Sequence, residues 1–197
     1  MTDWDAQYRE GETPWDHGEA APPLLELLER RPGVTWGDGP VLVPGCGRGH
    51  DAAVLAKPGR RVLGLDVSER AVEEARELHA GVAGLEFVHG DLLDPAVRDG
   101  RPITAVWEHT CFCAIPLEVR TAYVETMAAW LPAGGRLAGV FFLDPKVECG
   151  PPFGVGRDEL GALFGADFEI VWEARPGRVF ESRADGIELL VEMVRRT

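Results

Sequence analysis

The sequence has few cysteines, and their spacing excludes two common ways of stabilising a small chain. The four cysteines stand at positions 46, 111, 113 and 149, and only the CFC stretch brings two of them close together. No CxxC pair or histidine-rich partner accompanies them, although structural zinc sites depend on such spacing. We therefore expect neither a metal centre nor a disulfide framework.

Positive charge and long apolar runs are also scarce. Thirty-three acidic residues against 20 basic ones give a formal charge of −13. A surface of this sign repels phosphate backbones and anionic lipids, which argues against nucleic acid and membranes as partners. The N-terminus, MTDWDAQYRE, lacks a basic start and an apolar core, and no apolar stretch approaches the ~18 residues of a membrane span. The sequence predicts a cytosolic protein, and a monomer because no exposed apolar helix is evident.

Short apolar runs that alternate with helical patterns dominate the rest of the sequence. At 197 residues the chain fits one domain, with residues 1–35 forming an N-terminal lid segment and a helix, PPLLELLERR. Five strands are expected, namely VLVP, RVLGLD, LEFVHGD, ITAVWEHT and RLAGVFFLD. Further helices are expected from about His50, from Ser68, and from about Pro116 to Leu131. Such alternation predicts a parallel sheet covered on both faces.

The end of the sequence departs from this alternation. The runs FEIVWEA and IELLVEMV are separated only by a loop that contains Pro176, Gly177 and Gly186. Two strands that lack a crossover helix must usually be antiparallel. We therefore predict a single doubly wound α/β domain of the Rossmann-like type, whose mostly parallel seven-stranded sheet has an antiparallel last strand. This finish is more typical of methyltransferases than of dehydrogenases.

A glycine-rich turn and an acid follow the first two predicted strands. The first strand leads into Gly45, Cys46 and Gly47, and the second ends at Asp66. Ligands of open parallel sheets bind beyond the carboxyl ends of the strands. The glycines allow backbone to contact a ligand, and an acid about 20 residues after the first glycine is typical of a ribose-binding carboxylate. The pair indicates a site for a ligand with an adenosyl group.

Polar residues also follow the third and fourth predicted strands. Asp91 and Leu92 end the third, where a carboxylate and backbone could contact an adenine edge, and Glu108 and His109 end the fourth. Each of these residues alone has a simpler interpretation as a loop or capping residue. Acids at three of four successive strand ends together favour a ligand site.

The glycine turn, GCGRGH, lacks the third glycine of the dinucleotide fingerprint and fits S-adenosylmethionine proteins better. Here the sequence resembles the thiopurine S-methyltransferase-like family, which includes halide, thiocyanate and thiol methyltransferases. The resemblance covers nearly the whole chain, and its opening segment and the stretch through CAIPLEVR are more specific than the glycine loop. The matching stretches, in order, are WDAQYREGETPWDHG, VLVPGCGRGHD, GLDVS, HGDLLD, EHTCFCAIPLEVR and GPPFGVG.

The resemblance implies S-adenosyl-L-methionine as the cofactor and a set of residues that bind it. Trp4, Tyr8 and Trp15 match an aromatic flap that folds over the cofactor, where an aromatic face beside a sulfonium would make a cation–π contact. Arg120 matches an arginine near the cofactor and the acceptor. The predicted cofactor-binding residues are Trp4, Tyr8, Trp15, Gly45, Cys46, Gly47, Asp66, Val67, Asp91, Leu92 and Glu108.

The resemblance further implies methyl transfer to a small soft nucleophile by in-line displacement. An apolar, water-poor chamber would strip the hydration of an attacking anion. His109 is the best candidate for a general base, and Arg120 could stabilise an anionic acceptor or simply pair with Glu108 or another carboxylate. We expect the chamber wall to include Trp15, Phe112, Phe141 and Phe153, unless these aromatic residues are plain core.

The sequence leaves the acceptor open. Tyr8, His109 and Phe153 differ from residues frequent in the halide branch, which argues against halide activity in particular. Thiols, hydrosulfide, thiocyanate, iodide, thiopurines and selenium or tellurium anions all meet the same chemical demand. A small-molecule O- or N-methyltransferase is the nearest alternative. A nicotinamide-dependent oxidoreductase and a noncatalytic cofactor-binding module are more distant ones.

Overall fold

The fold is a seven-stranded sheet with helices on both faces. A computed structural model describes residues 2–31, 36–56, 59–98, 100–143, 145, 150–183 and 186–197. The strand order is β3-β2-β1-β4-β5-β7-β6. The strands are β1 (Val41–Pro44), β2 (Val62–Asp66), β3 (Leu85–His89), β4 (Ala105–His109), β5 (Arg136–Phe142), β6 (Phe168–Ala174) and β7 (Glu188–Arg195).

One strand runs against all the others. The pairs β1·β2, β2·β3, β1·β4 and β4·β5 are parallel, whereas β7 is antiparallel to both β5 and β6. The chain reverses at β1, where β2 and β4 lie on opposite sides, so a crevice opens above this strand. The predicted fold class, including the antiparallel last strand, is confirmed.

The predicted helices are present, and three further short helices are added. The helices are α1 (Trp4–Glu10), α2 (Pro22–Arg30), α3 (His50–Ala56), α4 (Glu69–Leu78), α5 (Pro95–Arg98), α6 (Arg120–Trp130) and α7 (Arg157–Phe164). The helix expected from Pro116 begins instead as a 3-10 turn, Leu117–Val119, before α6. Helices α1, α5 and α7 were not predicted, because 7, 4 and 8 residues carry too little periodicity to stand out.

Two apolar cores lie on opposite faces of the sheet. One contains Leu24 of α2, Leu55 of α3 and Trp107 of β4, and the other contains Met127 of α6 and Phe164 of α7. Successive strand residues point to opposite faces, so each strand contributes to both cores. None of the described helices is long and apolar enough to cross a bilayer. Residues 32–35 of the predicted lid segment, and Cys149, lie outside the described residues.

Candidate active site

The turn after β1 brings backbone to the open edge of the sheet. Gly45 and Gly47 have φ angles of +56° and +52°, a conformation that side chains rarely adopt. A Cβ at Gly47 would lie 2.6 Å from the hydroxyl oxygen of Tyr8, and one at Gly45 would lie 2.9 Å from Cβ of Cys111. A side chain at either position would displace Tyr8 or Cys111, so only glycine lets the turn pack this closely against its neighbours. Cys46 packs within the turn, and burial raises the pKa of its thiol well above the ordinary value.

Asp66 ends β2 beside this turn and holds its geometry. Its carboxylate accepts hydrogen bonds from the backbone N–H groups of Gly47, at 2.8 Å, and Ser68, at 2.9 Å. Each oxygen keeps a further lone pair, so the carboxylate can also accept bonds from ribose hydroxyls. Burial raises the pKa of Asp66, and the backbone bonds act in the opposite direction.

Two apolar side chains and an acid follow along the same edge. Val67 is 51% exposed even though it is apolar, and Leu92 is half-buried. Asp91 is exposed and accepts a 2.9 Å hydrogen bond from the backbone N–H of Leu93. Two apolar side chains that flank a carboxylate suit a flat heterocycle with an amino group at its edge, as adenine has.

The predicted aromatic residues form one cluster over the glycine turn. The ring centroids of Trp4 and Trp15 are 5.2 Å apart, and those of Tyr8 and Trp15 are 5.9 Å apart, both in edge-to-face geometry. The indole N–H of Trp15 donates to the Tyr8 hydroxyl at 3.1 Å. Tyr8 is buried above Gly47, and burial raises its pKa further than the neighbouring Asp66 does. Residues 4–18, here called the flap, therefore cover the edge of the sheet.

The flap is fastened to α4 at one end. Asp5 accepts hydrogen bonds from the hydroxyl of Ser68 and the backbone N–H of Arg70, each at 2.9 Å. Ser68 also caps α4 by accepting a bond from the N–H of Ala71. These bonds hold the pKa of Asp5 below its ordinary value, the bond from Arg70 contributing most. Helix α1 thus docks on the N-terminus of α4, directly beside Asp66.

A second fastening joins the flap to the glycine turn. Arg48 donates to Glu74 of α4 at 2.6 Å, to the Thr13 hydroxyl at 3.1 Å, and to Asp16. Its guanidinium also lies 5.3 Å from the ring centroid of Tyr8. Burial works to raise the pKa of Asp16, but bonds from His50, Gly18 and Arg48 hold it well below its ordinary value. The glycine turn and the flap therefore share one ion-pair network.

His109 ends β4 and is oriented by a residue that the sequence did not indicate. Its Nδ1 lies 3.2 Å from Oδ2 of Asp51, which also accepts from the indole N–H of Trp107 at 2.7 Å. Burial tends to raise the pKa of Asp51, but its bonds to His109, Trp107 and Ala21 lower it. An ionised Asp51 assigns the proton of a neutral imidazole to Nδ1, so Nε2 is the acceptor. That Nε2 is buried and has no hydrogen-bond partner among the described residues.

The backbone after His109 is strained. Thr110 has a φ angle of +65°, the left-handed conformation that non-glycine residues rarely adopt, and its hydroxyl donates to the carbonyl of His109 at 2.6 Å. Such strain persists where the surrounding structure fixes it, and it is common at functional sites. The turn directs the chain from β4 into the CFC stretch, next to the open edge of the sheet.

Glu108 and Arg120 are engaged by other protein groups. Glu108 is fully buried and accepts from the N–H groups of Cys111, at 3.0 Å, and Phe112, at 2.7 Å, and from the Tyr123 hydroxyl. Burial raises its pKa despite these bonds. Its carboxylate is already engaged by these three donors, so the geometry favours a structural role over the predicted cofactor contact.

Arg120 pairs with Glu159 rather than with Glu108. Its guanidinium donates to Glu159 at 3.1 Å and to the carbonyl oxygens of Phe153, at 3.1 Å, and Gly154, at 2.9 Å. It also lies 4.6 Å from the ring centroid of Phe112. Burial lowers its pKa, although Glu159 opposes the effect. These contacts hold the segment around Phe153 in place, which favours a positioning role over direct contact with an acceptor.

Two of the four aromatic residues expected in the chamber wall belong to the core instead. Phe112 and Phe141 are 2% and 1% exposed, and their ring centroids are 5.5 Å apart within the core of α6 and α7. Trp15 and Phe153 remain partly exposed. Aromatic residues near strand ends can therefore be plain core, as the sequence analysis allowed.

The arrangement fits an adenosyl sulfonium cofactor. The glycine turn presents backbone, Asp66 keeps lone pairs for hydroxyls, and Val67 remains exposed where an adenine ring would lie. An aromatic flap is suited to a positively charged sulfur. The strand order with its single reversed strand and this edge together define the class of S-adenosylmethionine-dependent methyltransferases.

The comparison with known proteins gives the family. The family described as Thiopurine S-methyltransferase (TPMT) matches residues 1–196. The chain belongs to this family, and it is an S-adenosylmethionine-dependent S-methyltransferase rather than a nicotinamide-dependent enzyme.

Two relatives agree with this assignment. Thiocyanate methyltransferase 1 from Brassica oleracea is 34% identical over 77% of this chain and 66% of that protein. Thiopurine S-methyltransferase from Xanthomonas campestris is 33% identical over 85% of this chain and 83% of that protein.

Two solved structures share the fold. One concerns conversion of a disulfide bond into a thioacetal group during echinomycin biosynthesis; it has a TM-score of 0.79 and 24% identity over 98% of this chain and 92% of that one. The other is the magnesium protoporphyrin IX methyltransferase of Synechocystis with bound S-adenosylmethionine. It has a TM-score of 0.68 and 19% identity over 100% of this chain and 86% of that one.

Proposed function

We propose that the protein methylates small protic thiols, or hydrosulfide, with His109 as the general base and Asp51 as its positioning residue. The observation that carries this proposal is the pair itself: Nδ1 of His109 faces Asp51 at 3.2 Å, while Nε2 is buried without a partner among the described residues. A buried acceptor nitrogen beside the cofactor edge suits proton removal from an acceptor.

The proposed reaction begins at His109. Its Nε2 takes the thiol proton, and the resulting imidazolium is stabilised by Asp51. The cofactor supplies an electrophilic methyl group on a sulfonium. With the cofactor bound, the thiolate that His109 generates would accept this methyl group: a new S–C bond would form as the sulfonium S–C bond breaks, and neutral S-adenosylhomocysteine would leave. The flap assists by excluding water, because desolvation makes a soft anion more reactive.

The proposed cofactor contacts follow the edge of the sheet. Backbone of Gly45 and Gly47 would contact the amino acid part, Asp66 the ribose hydroxyls, and Asp91 with Val67 and Leu92 the adenine. Support comes from the spare lone pairs of Asp66, the exposure of Val67 and the position of Asp91 at the next strand end. Trp4, Tyr8 and Trp15 would cover the sulfonium, in agreement with their shared cluster.

The test compares an acceptor that must lose a proton with one that has none to lose. We expect His109→Ala to lower kcat/KM for 2-mercaptoethanol about 100-fold at pH 7, the typical contribution of a general base. Thiocyanate carries no proton, so its kcat/KM should change less than about 2-fold. Raising the pH should partly rescue the variant with the thiol, because the thiol then ionises unaided. Release of S-adenosylhomocysteine measures both reactions.

Two outcomes would contradict the proposal. An equal loss with both acceptors would make His109 a lining residue, and no turnover of any thiol by the parent enzyme would refute thiol methylation itself. A smaller loss with Asp51→Asn, again restricted to thiols, is expected if Asp51 orients the base.

The names of the relatives support a soft acceptor, because they specify thiocyanate, thiol and thiopurine methyltransferases. O- or N-methylation of a small molecule remains the alternative. The monomeric state, the cytoplasmic location and the absence of nucleic acid as a partner stay predictions from the sequence.

A further inference from the structure

Glu188, the first residue of β7, is a buried carboxyl group without hydrogen bonds. It is 2% exposed, and among the described residues neither of its carboxyl oxygens has a hydrogen-bond partner. Arg183 forms a long ion pair with it, because Nε of Arg183 lies 3.9 Å from Oε1, beyond hydrogen-bond distance. Buried polar groups are nearly always satisfied, so each exception calls for an explanation.

Strand register brings Glu188 to the same part of the sheet as His109. His109 of β4 pairs with Val140 of β5, and Phe142 of β5 pairs with Glu188 of β7. Val140 and Phe142 are two residues apart, so all four side chains point to one face of the sheet. Strands β4 and β7 flank β5, which separates them by roughly 10 Å. Both side chains therefore extend from the same face on either side of β5, where one small molecule would reach both the carboxyl group and the imidazole.

Two aromatic rings and a guanidinium lie beside these two residues. The ring of Phe180 lies 3.8 Å from that of His17 and 6.5 Å from that of His109, centroid to centroid. The Arg183 guanidinium lies 4.5 Å from the ring centroid of Phe142. The loop that carries Phe180 and Arg183 is anchored to α2, since Glu26 accepts from the N–H groups of Gly177 and Arg178 at 2.7 and 2.9 Å.

We propose that Glu188 determines acceptor specificity: its carboxyl group binds a hydrogen-bond donor, an amine or a hydroxyl, that the acceptor thiol carries two or three bonds from its sulfur. The acceptors are then small aminothiols and hydroxythiols. This inference rests on the proposed function, because His109 must face the sulfur while Glu188 faces the donor. His109 Nε2 and the Glu188 oxygens are all buried and have no hydrogen-bond partner within the described part of the chain, so one bifunctional ligand would satisfy both residues.

The charges at this site disfavour a bare anion. Arg183 is the cation beside Glu188, and Glu188 offsets its charge. Arg120 is occupied by Glu159 and two carbonyl groups. A halide or thiocyanate ion would therefore meet a carboxyl group without a compensating free cation among these residues, whereas an amine or hydroxyl would gain a partner. Sites built around a substrate hydrogen bond reject analogues that lack it far more strongly than apolar sites reject size differences.

The test uses Glu188→Gln, which keeps the shape of the side chain and removes its charge. The probes are cysteamine and 2-mercaptoethanol, which carry a donor, ethanethiol, which carries none, and thiocyanate. We expect the ratio of kcat/KM for cysteamine to that for ethanethiol to fall about 10-fold in the variant. Comparing ratios between the two proteins cancels the intrinsic reactivity of each thiol. The ratio of thiocyanate to cysteamine should rise.

A matched control lies on the same strand and face. Glu192 is 1% exposed but pairs with Arg31 and Arg136, away from the edge of the sheet. Glu192→Gln should keep the acceptor ratios of the parent within about 2-fold, whatever its stability. Unchanged ratios in Glu188→Gln, with thiols still methylated by the parent, would overturn this inference and leave the proposed function intact. Absence of thiol methylation by the parent would instead refute the proposed function.

Discussion

Gly47 shows how a single missing Cβ serves the site. It has a φ angle of +52°, and a Cβ there would lie 2.6 Å from the Tyr8 hydroxyl oxygen. We expect Gly47→Ala to lose about 1–2 kcal/mol of stability from backbone strain. It should also weaken binding of S-adenosylhomocysteine at least about 10-fold, because the flap is displaced. Calorimetric titration measures the affinity, and thermal melts measure the stability.

The control for this substitution is Gly134→Ala. Gly134 has a φ angle of +77°, but nothing lies within 4 Å of a Cβ built there. The variant should therefore suffer similar backbone strain and bind S-adenosylhomocysteine as the parent does. Equal affinities in the two variants would show that the contact between Gly47 and Tyr8 is not needed for cofactor binding.

The individual site residues differ in how far the sequence could reveal them. Gly47, Asp66 and Asp91 were predictable, because carboxyl ends of neighbouring parallel strands must meet at one edge. Asp51 was not, since its contact with His109 depends on how α3 packs against β4. The sequence does contain a pattern that indicates Glu188: in IELLVEMV, two glutamates share the strand face that also carries Leu190. Acids on a buried face need hydrogen-bond partners, and the described residues provide none for Glu188.

The flap is the element whose attachment most directly affects the cofactor site. Asp5 joins α1 to α4 through Ser68 and Arg70. We expect Asp5→Ala to raise the dissociation constant for S-adenosylhomocysteine about 5- to 10-fold, the effect of losing a charged hydrogen-bond acceptor at a partly exposed site. The melting temperature should change little, because α1 contributes only Tyr8 to the buried residues. Acrylamide quenching of tryptophan fluorescence should increase, since Trp4 and Trp15 become more accessible.

Glu10→Ala at the exposed end of the same helix is the control for Asp5→Ala. It should leave both the affinity and the quenching unchanged. If Asp5→Ala binds the ligand as tightly as Glu10→Ala does, the contact with α4 does not hold the flap over the site.

The sequence could indicate the flap but not its attachments. The resemblance of WDAQYREGETPWDHG to related proteins identified a segment over the cofactor, yet the short α1 has too few turns to be predicted. Its main contact, Asp5 with Ser68, joins residues 63 positions apart. Arg48 and Asp16 are 32 positions apart, and their pairing also depends on tertiary structure. Local patterns therefore predict the elements, whereas ion pairs between them require the fold.

The buried carboxyl group of Glu188 lowers the stability of the whole molecule. Burial raises the pKa of Glu188 above the ordinary value of 4.5, although the charges of His109 and Arg183 oppose the effect. Between pH 4.5 and the raised pKa of the folded state, the unfolded chain releases this proton while the folded chain retains it. The folded state then binds more protons than the unfolded one, so the free energy of unfolding falls as the pH rises toward the folded pKa. Natural proteins tolerate such groups mainly where function requires them.

Glu188→Gln should remove this destabilisation. We expect the variant to gain about 1 kcal/mol at pH 8, which corresponds to about 2–4 °C in Tm for a chain of this size. The gain should shrink as the pH falls and disappear well below 4.5, where the parent side chain is protonated in both states. Thermal melts across this range measure the difference.

Glu192→Gln should instead lower Tm at pH 8, because it leaves Arg31 and Arg136 without their shared carboxylate. A constant difference between Glu188→Gln and the parent at every pH would mean that ionisation of Glu188 is not what weakens the fold. A stabilised variant with altered acceptor ratios would link the loss of stability to the choice of substrate at one residue.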